Sequence, residues 1–190
     1  MHFFLHGGAT SPDSESNKKY FQTLCSYGNK ILIFPFGEWT ERETLLFEKY
    51  MRNFTKNVTE KELSFACASR DIPTLVEQIR HADILFFSGW VPARHLEVTN
   101  QIPNLKQLIQ DKILTGPSAW AAMRTRAYYS ARNEDIREWN NFLHIKLMVH
   151  RWADRHPWLS NEERLHLLEN YGENLPVYKI PEWEYIEFTL

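Results

Sequence analysis

Two cysteines in 190 residues, Cys25 and Cys67, are too few for a disulfide framework, and a reduced cytosolic chain is the simpler reading. No run approaches the ~20 consecutive apolar residues that cross a bilayer. The opening MHFFLHGGAT has no basic segment and too short an apolar run for a secretion signal, so the sequence predicts a cytoplasmic protein with no membrane partner. A basic excess is missing too: 22 Lys and Arg against 24 Asp and Glu leave a formal charge of −2, which argues against nucleic acid. No His, Cys or Asp cluster has convincing zinc spacing. His144, His150 and His156 lie six residues apart, which matches no single helical face. The turn GGAT lacks the Gly-Lys-Ser/Thr ending of a phosphate loop. The expectation is therefore no metal and no cofactor. Repeats and low-complexity tracts are absent, and the length suits one domain over 1–190.

What is present is a regular alternation. Short apolar runs at 2–6, 30–36, 62–68, 83–89, 112–118 and 144–150 read as strands. Stretches with helical spacing lie between them at 17–27, 41–54, 72–82 and 104–111, with Pro73 in the first turn of the third. Ser160 and Glu163 form a capping box ahead of a helix that ends near Gly172, and the closing LPVYKIPEWEYIEFTL is strand-rich with a break at Pro181. The pattern predicts a three-layer α/β fold, a mainly parallel central sheet with helices on both faces. Ligands of such sheets bind beyond the carboxyl ends of the strands. The polar stretch 124–141, with four arginines and two tyrosines in its first part, reads as a solvated loop. Its other readings are a clamp for a substrate carboxylate and an RNA contact through arginine and aromatic stacking, against which the net charge argues.

The segment ILTGPSAWAAM, 113–123, carries the sharpest signal. A strand, a tight corner and a helix with Ser118 at the corner is the arrangement that presents a nucleophile. Serine needs a base, usually His held by a carboxylate, and two N–H groups aimed at the developing oxyanion. His144 and His150 flank the strand IKLMV, and Glu182 follows Ile180-Pro181. His150 closes its strand and so is expected at the edge that holds Ser118. Read singly, each is bland: a corner serine is more often an N-cap, and a strand-end histidine is usually structural.

Together GPSAWAA (116–122), DILFFSGW (83–90), MVH (148–150) and KIPEW (179–183) resemble, in order and spacing, the dipeptidase E and cyanophycinase-like serine peptidases. These share a class I glutamine amidotransferase-like fold. The resemblance spans most of the chain. It implies Ser118 as nucleophile, His150 as general base and Glu182 as the residue orienting it, with the amides of Gly89 and Ala119 as the oxyanion hole. It also implies a short peptide or small amide as substrate, typically cleaved after an N-terminal aspartate, and some arginines between 124 and 155 as readers of its acidic end.

Two positions depart from that pattern. The glycine-rich turn is reduced to SGW, so a positive φ at Ser88 or Trp90 would be strained. Trp120 stands where the elbow has glycine, and its indole must enter the cleft or push the helix off the sheet. Trp90 and Trp120 are thus the expected lining of the substrate pocket. In the alternative reading they stack and fill it, leaving a catalytically inactive binding or interaction module. A small-molecule amidase or esterase on the same scaffold is a third reading. The oligomeric state is left open.

Overall fold

The computed structural model describes residues 1–8, 10, 13–130, 134–138, 142–149 and 159–190. Strand β1 (His2–His6) leads to α1 (Glu15–Ser26), β2 (Lys30–Phe34), a 3₁₀ turn and α2 (Glu43–Asn57). Then come β3 (Ser64–Cys67), α3 (Ile72–His81), β4 (Ile84–Phe87), α4 (Pro92–Thr99), α5 (Leu105–Leu108) and β5 (Ile113–Pro117). The elbow helix α6 (Ala119–Ala122) precedes β6 (Thr125–Ser130), β7 (Asp135–Glu138), β8 (Leu143–Val149), α7 (Asn161–Glu169), β9 (Val177–Ile180) and β10 (Tyr185–Thr189). Among the described residues no helix is long and apolar enough to cross a membrane.

The first five strands form a parallel sheet in the order β1-β5-β4-β2-β3, with β10 added antiparallel on β1. Parallel strands buried on both faces need unbroken apolar runs, and FFL, ILIF and ILFF supply them. Alternate side chains go to opposite faces. Phe4, Ile33 and Phe86 pack on Tyr20, Phe21 and Leu24 of α1 and on Tyr50 and Phe54 of α2. Leu5, Phe34, Phe87 and Leu114 face α3, the elbow helix and Leu143, Ile145 and Leu147 of β8. Ser160 with Glu163 closes the capping box of α7 as expected, and Asp71 caps α3 at Thr74 N–H.

The architecture is mixed but mostly parallel, with helices on both faces. Two expectations are corrected. Segment 124–141 is not a solvated loop over its described part: β6 and β7 form an antiparallel hairpin, Ser130 opposite Asp135. The strand at 144–149 does not join the central sheet either, because β7-β6-β8-β9 make a second, four-stranded sheet. Its inner face, Leu143, Ile145 and Leu147, covers the elbow helix, while Ala127 and Met148 on the other face pack on Leu168 of α7. In addition, α4 forms where no helix was expected; of the two free cysteines, Cys25 is buried and Cys67 exposed.

Candidate active site

The strand register sets the site. His6 of β1 pairs with Pro117 of β5, Phe86 of β4 with Thr115, and Phe34 of β2 with Phe87, so the carboxyl ends of the central strands finish together. Ser118 follows directly on β5. Its φ of 57° and ψ of −118° lie outside the regions open to ordinary L-residues. The Ser118 N–H donates to His6 O at 2.8 Å, and Ser118 O accepts from Ala122 N–H at 3.1 Å, so the corner is tied to both strand and helix. Ser118 and Ala119 are half-exposed. Ala119 opens α6, so its N–H has no acceptor within the helix.

Beside this corner runs Ser88-Gly89-Trp90. A Cβ on Gly89 would lie 3.8 Å from Ser118 Cβ and 3.3 Å from Pro117 O. His95 of α4, buried, donates Nε2–H to Ser88 O at 2.9 Å, and Gly37 N–H donates to Ser88 Oγ at 2.9 Å. Burial pushes the His95 pKa down to about 3, helped by the Arg124 and Arg70 charges, so the ring is neutral at ordinary pH. In a trans peptide the C=O and the next N–H point opposite ways. By holding Ser88 O, His95 therefore aims the Gly89 N–H the other way. That N–H faces the hydroxyl of Tyr50, where it opposes the burial that pushes the phenol up to about 12.

On the other side of Ser118 lies the turn after β9. Gly7 N–H donates to Glu184 O at 2.9 Å, and a Cβ on Gly7 would sit 1.8 Å from Pro181 O. Only glycine permits this contact, which seats the turn carrying the half-buried Glu182 on the end of β1. Val149 at the end of β8 pairs with Ile180 of β9. His150 lies outside the described residues. His144 is exposed on β8.

The two tryptophans do not meet. Trp120 is fully buried, stacked on Phe87 with centroids 5.0 Å apart and planes at 14°, and it lies under the Arg124 guanidinium. The space is made by Gly116, where a Cβ would come within 2.9 Å of the indole. Trp120 thus belongs to the core beneath the elbow and lines no open cleft, which removes the stacked pair that would have filled the pocket. Trp90 is 66% exposed, with φ at 83°, the strained value anticipated for this turn.

His95, Tyr50 and His6 escaped the sequence reading, and Arg124 was misplaced by it. His95 and Tyr50 brace the Ser88–Gly89 peptide from opposite sides, and neither sits in a recognisable motif. His6 is buried at the end of β1; its Nδ1 accepts from Gly8 N–H and its Nε2–H donates to Asn17 Oδ1, both at 3.0 Å. The turn His-Gly-Gly was the only signal for it. Arg124, expected on a solvated loop, is buried against Phe87, Trp120 and Phe142, and burial lowers its pKa to about 10. Among the described residues no three His, Cys, Asp or Glu side chains gather to hold a metal ion.

No family model matches the chain, and no curated protein matches it. Solved structures do. A peptidase from an acI-B1 Actinobacterium is similar with a TM-score of 0.65 and 17% identity, over 95% of this chain and 80% of that one. A putative Peptidase E protein from Listeria monocytogenes EGD-e is similar with a TM-score of 0.61 and 15% identity, over 100% of this chain and 98% of that one. The chain therefore has a peptidase E-like α/β fold.

Proposed function

We propose that the protein is a serine-type hydrolase that cleaves short peptides with an acidic N-terminal residue, using Ser118, His150 and Glu182 without metal or cofactor. The observation that carries this reading is the backbone of Ser118: a half-exposed serine held at φ 57°, ψ −118° at the carboxyl edge of the central sheet. Strain of this kind costs about 1–3 kcal/mol and is concentrated at functional sites. A structural N-cap would not need it, and the Ser118 side chain makes no cap hydrogen bond to α6.

In the proposed reaction Ser118 Oγ attacks the scissile carbonyl while its proton passes to His150, which Glu182 orients. The oxyanion is held by the N–H of Ala119 and by that of Gly89, the latter taken from its contact with Tyr50. His95 is a positioning residue that acts through Ser88 O. Collapse of the tetrahedral intermediate breaks the C–N bond, and the leaving amine takes the proton from His150. Water, activated by the same histidine, then releases the acyl group.

The test is release of free amino acid from aspartyl dipeptides by the wild type and by Ser118→Ala, His150→Ala and Glu182→Gln. Loss of about 10³-fold or more in kcat for the first two is expected. Equal rates for wild type and Ser118→Ala would overturn the assignment. A chelator should leave the wild-type rate unchanged.

A further inference from the structure

Trp90 is anomalous on two counts. Its φ of 83° is one that glycine adopts at no steric cost and that a bulky residue adopts only under strain. Its indole is 66% exposed, so little burial offsets that strain. Among the described residues little packing offsets the strain, which points to a contact with something other than those residues. The position narrows what that contact is. Gly89, next in sequence, lies against Ser118, so Trp90 stands beside the proposed reaction centre.

A second indole is tied to the same rim. Val91 N–H donates to Gly37 O at 3.1 Å, joining the turn after β4 to the one after β2, which carries Trp39, also 66% exposed. The Arg94 guanidinium lies 3.9 Å over the Trp39 ring, and its Nη1–H donates to Glu38 O at 2.5 Å. Among the described residues Arg94 has no ion-pair partner. Two flat apolar surfaces, and a cation without an ion-pair partner among the described residues, therefore lie on the rim formed where the turns after β2 and β4 meet, beside Ser118. Stacking on an indole selects a flat or bulky apolar group, and a fixed guanidinium selects a carboxylate.

We propose that Trp90, with Trp39 and Arg94 beside it, forms a leaving-group subsite for an aromatic or large apolar residue that bears a free carboxylate. The inference rests on the hydrolase reading above, which puts an aspartyl group on the acyl side and so leaves this rim to the residue after the scissile bond. The preferred substrate class is a dipeptide of an acidic residue followed by an aromatic one.

The experiment compares Asp-Phe with Asp-Ala on the wild type, Trp90→Gly and Trp39→Ala, recording kcat and KM separately, with thermal melting as the control for folding. The wild type should prefer Asp-Phe by roughly tenfold in kcat/KM, mainly through KM. Trp90→Gly should melt at or above the wild-type temperature while that ratio falls toward one. A wild type indifferent to the second residue, or a ratio that Trp90→Gly leaves intact, overturns the subsite while the hydrolase reading stands. If neither dipeptide is hydrolysed, the hydrolase reading fails and equilibrium binding decides the subsite. Tighter binding of Asp-Phe than of Asp-Ala, lost in Trp90→Gly, supports it; equal or absent binding refutes it.

Discussion

Ser118 pays a backbone cost that its replacements would share unequally. Glycine reaches φ 57°, ψ −118° without a Cβ clash, whereas alanine keeps the clash and loses the hydroxyl. Ser118→Gly should therefore be more stable than Ser118→Ala by about 1–3 kcal/mol in denaturant unfolding, with both inactive. Equal stabilities would mean that the corner relaxes and stores no strain. Tyr50 gives a second residue-level test. If its hydroxyl competes for the Gly89 N–H, Tyr50→Phe should hold or raise kcat; a fall of tenfold or more would show that the phenol supports the reaction. The third concerns pH. The folded His95 pKa, about 3, lies below the ordinary 6.5, so between those values the unfolded chain binds the extra proton. Stability from keeping His95 neutral is complete above about pH 6.5 and is lost as pH falls toward 3. His95→Gln should flatten the melting profile between pH 6.5 and 4, and should lower kcat by loosening the Ser88–Gly89 peptide. Ser118 and the strained Trp90 were legible because corner chemistry is local. His95 was not, since one histidine in a short helix matches any number of structural roles until the fold puts it under Ser88.

At the scale of elements, the site is held by loops that touch through glycines. A Cβ on Gly37 would lie 1.8 Å from Gly89 O, and one on Gly7 equally close to Pro181 O. Both obstacles are backbone, so neither can swing aside. Gly37→Ala should displace the oxyanion turn and Gly7→Ala the turn bearing Glu182. Each is expected to cost about 1–3 kcal/mol by thermal or denaturant unfolding and to lower kcat more than KM. Wild-type kcat in Gly7→Ala would disconnect the Glu182 turn from catalysis. The parallel strands could be read from sequence because burial on both faces leaves only apolar residues. The hairpin of β6 and β7 could not: its charged residues, such as the half-buried Arg126 paired with the exposed Glu138, mask the alternation. Trp120 was misread for a related reason. Its pocket depends on Gly116, four residues earlier and on the strand rather than the helix, a pairing that no periodicity reveals.

For the whole molecule, the decisive feature is that the elbow helix lies between two sheets. Phe87 and Leu114 of the central sheet and Leu143, Ile145 and Leu147 of the second enclose Trp120, Ala121 and Met123. The second sheet also brings β9 and the Glu182 turn to the end of β1, so the proposed nucleophile, Ser118, and Glu182 come from separate layers. The strand at 143–149 reads like a central one in sequence, and only its pairing with β6 and β9 reveals the second sheet. Trp120→Ala would open a cavity at this junction and should cost about 3–5 kcal/mol, read as a lower denaturant midpoint. It should leave substrate preference unchanged wherever the protein remains folded, since Trp120 faces no cleft. Whether Ser118 is an activated and reachable nucleophile is read from the intact mass of the protein after treatment with a small fluorophosphonate. A single adduct is expected on the wild type and none on Ser118→Ala. An unmodified wild type, or an equal adduct on both proteins, would contradict that role for Ser118.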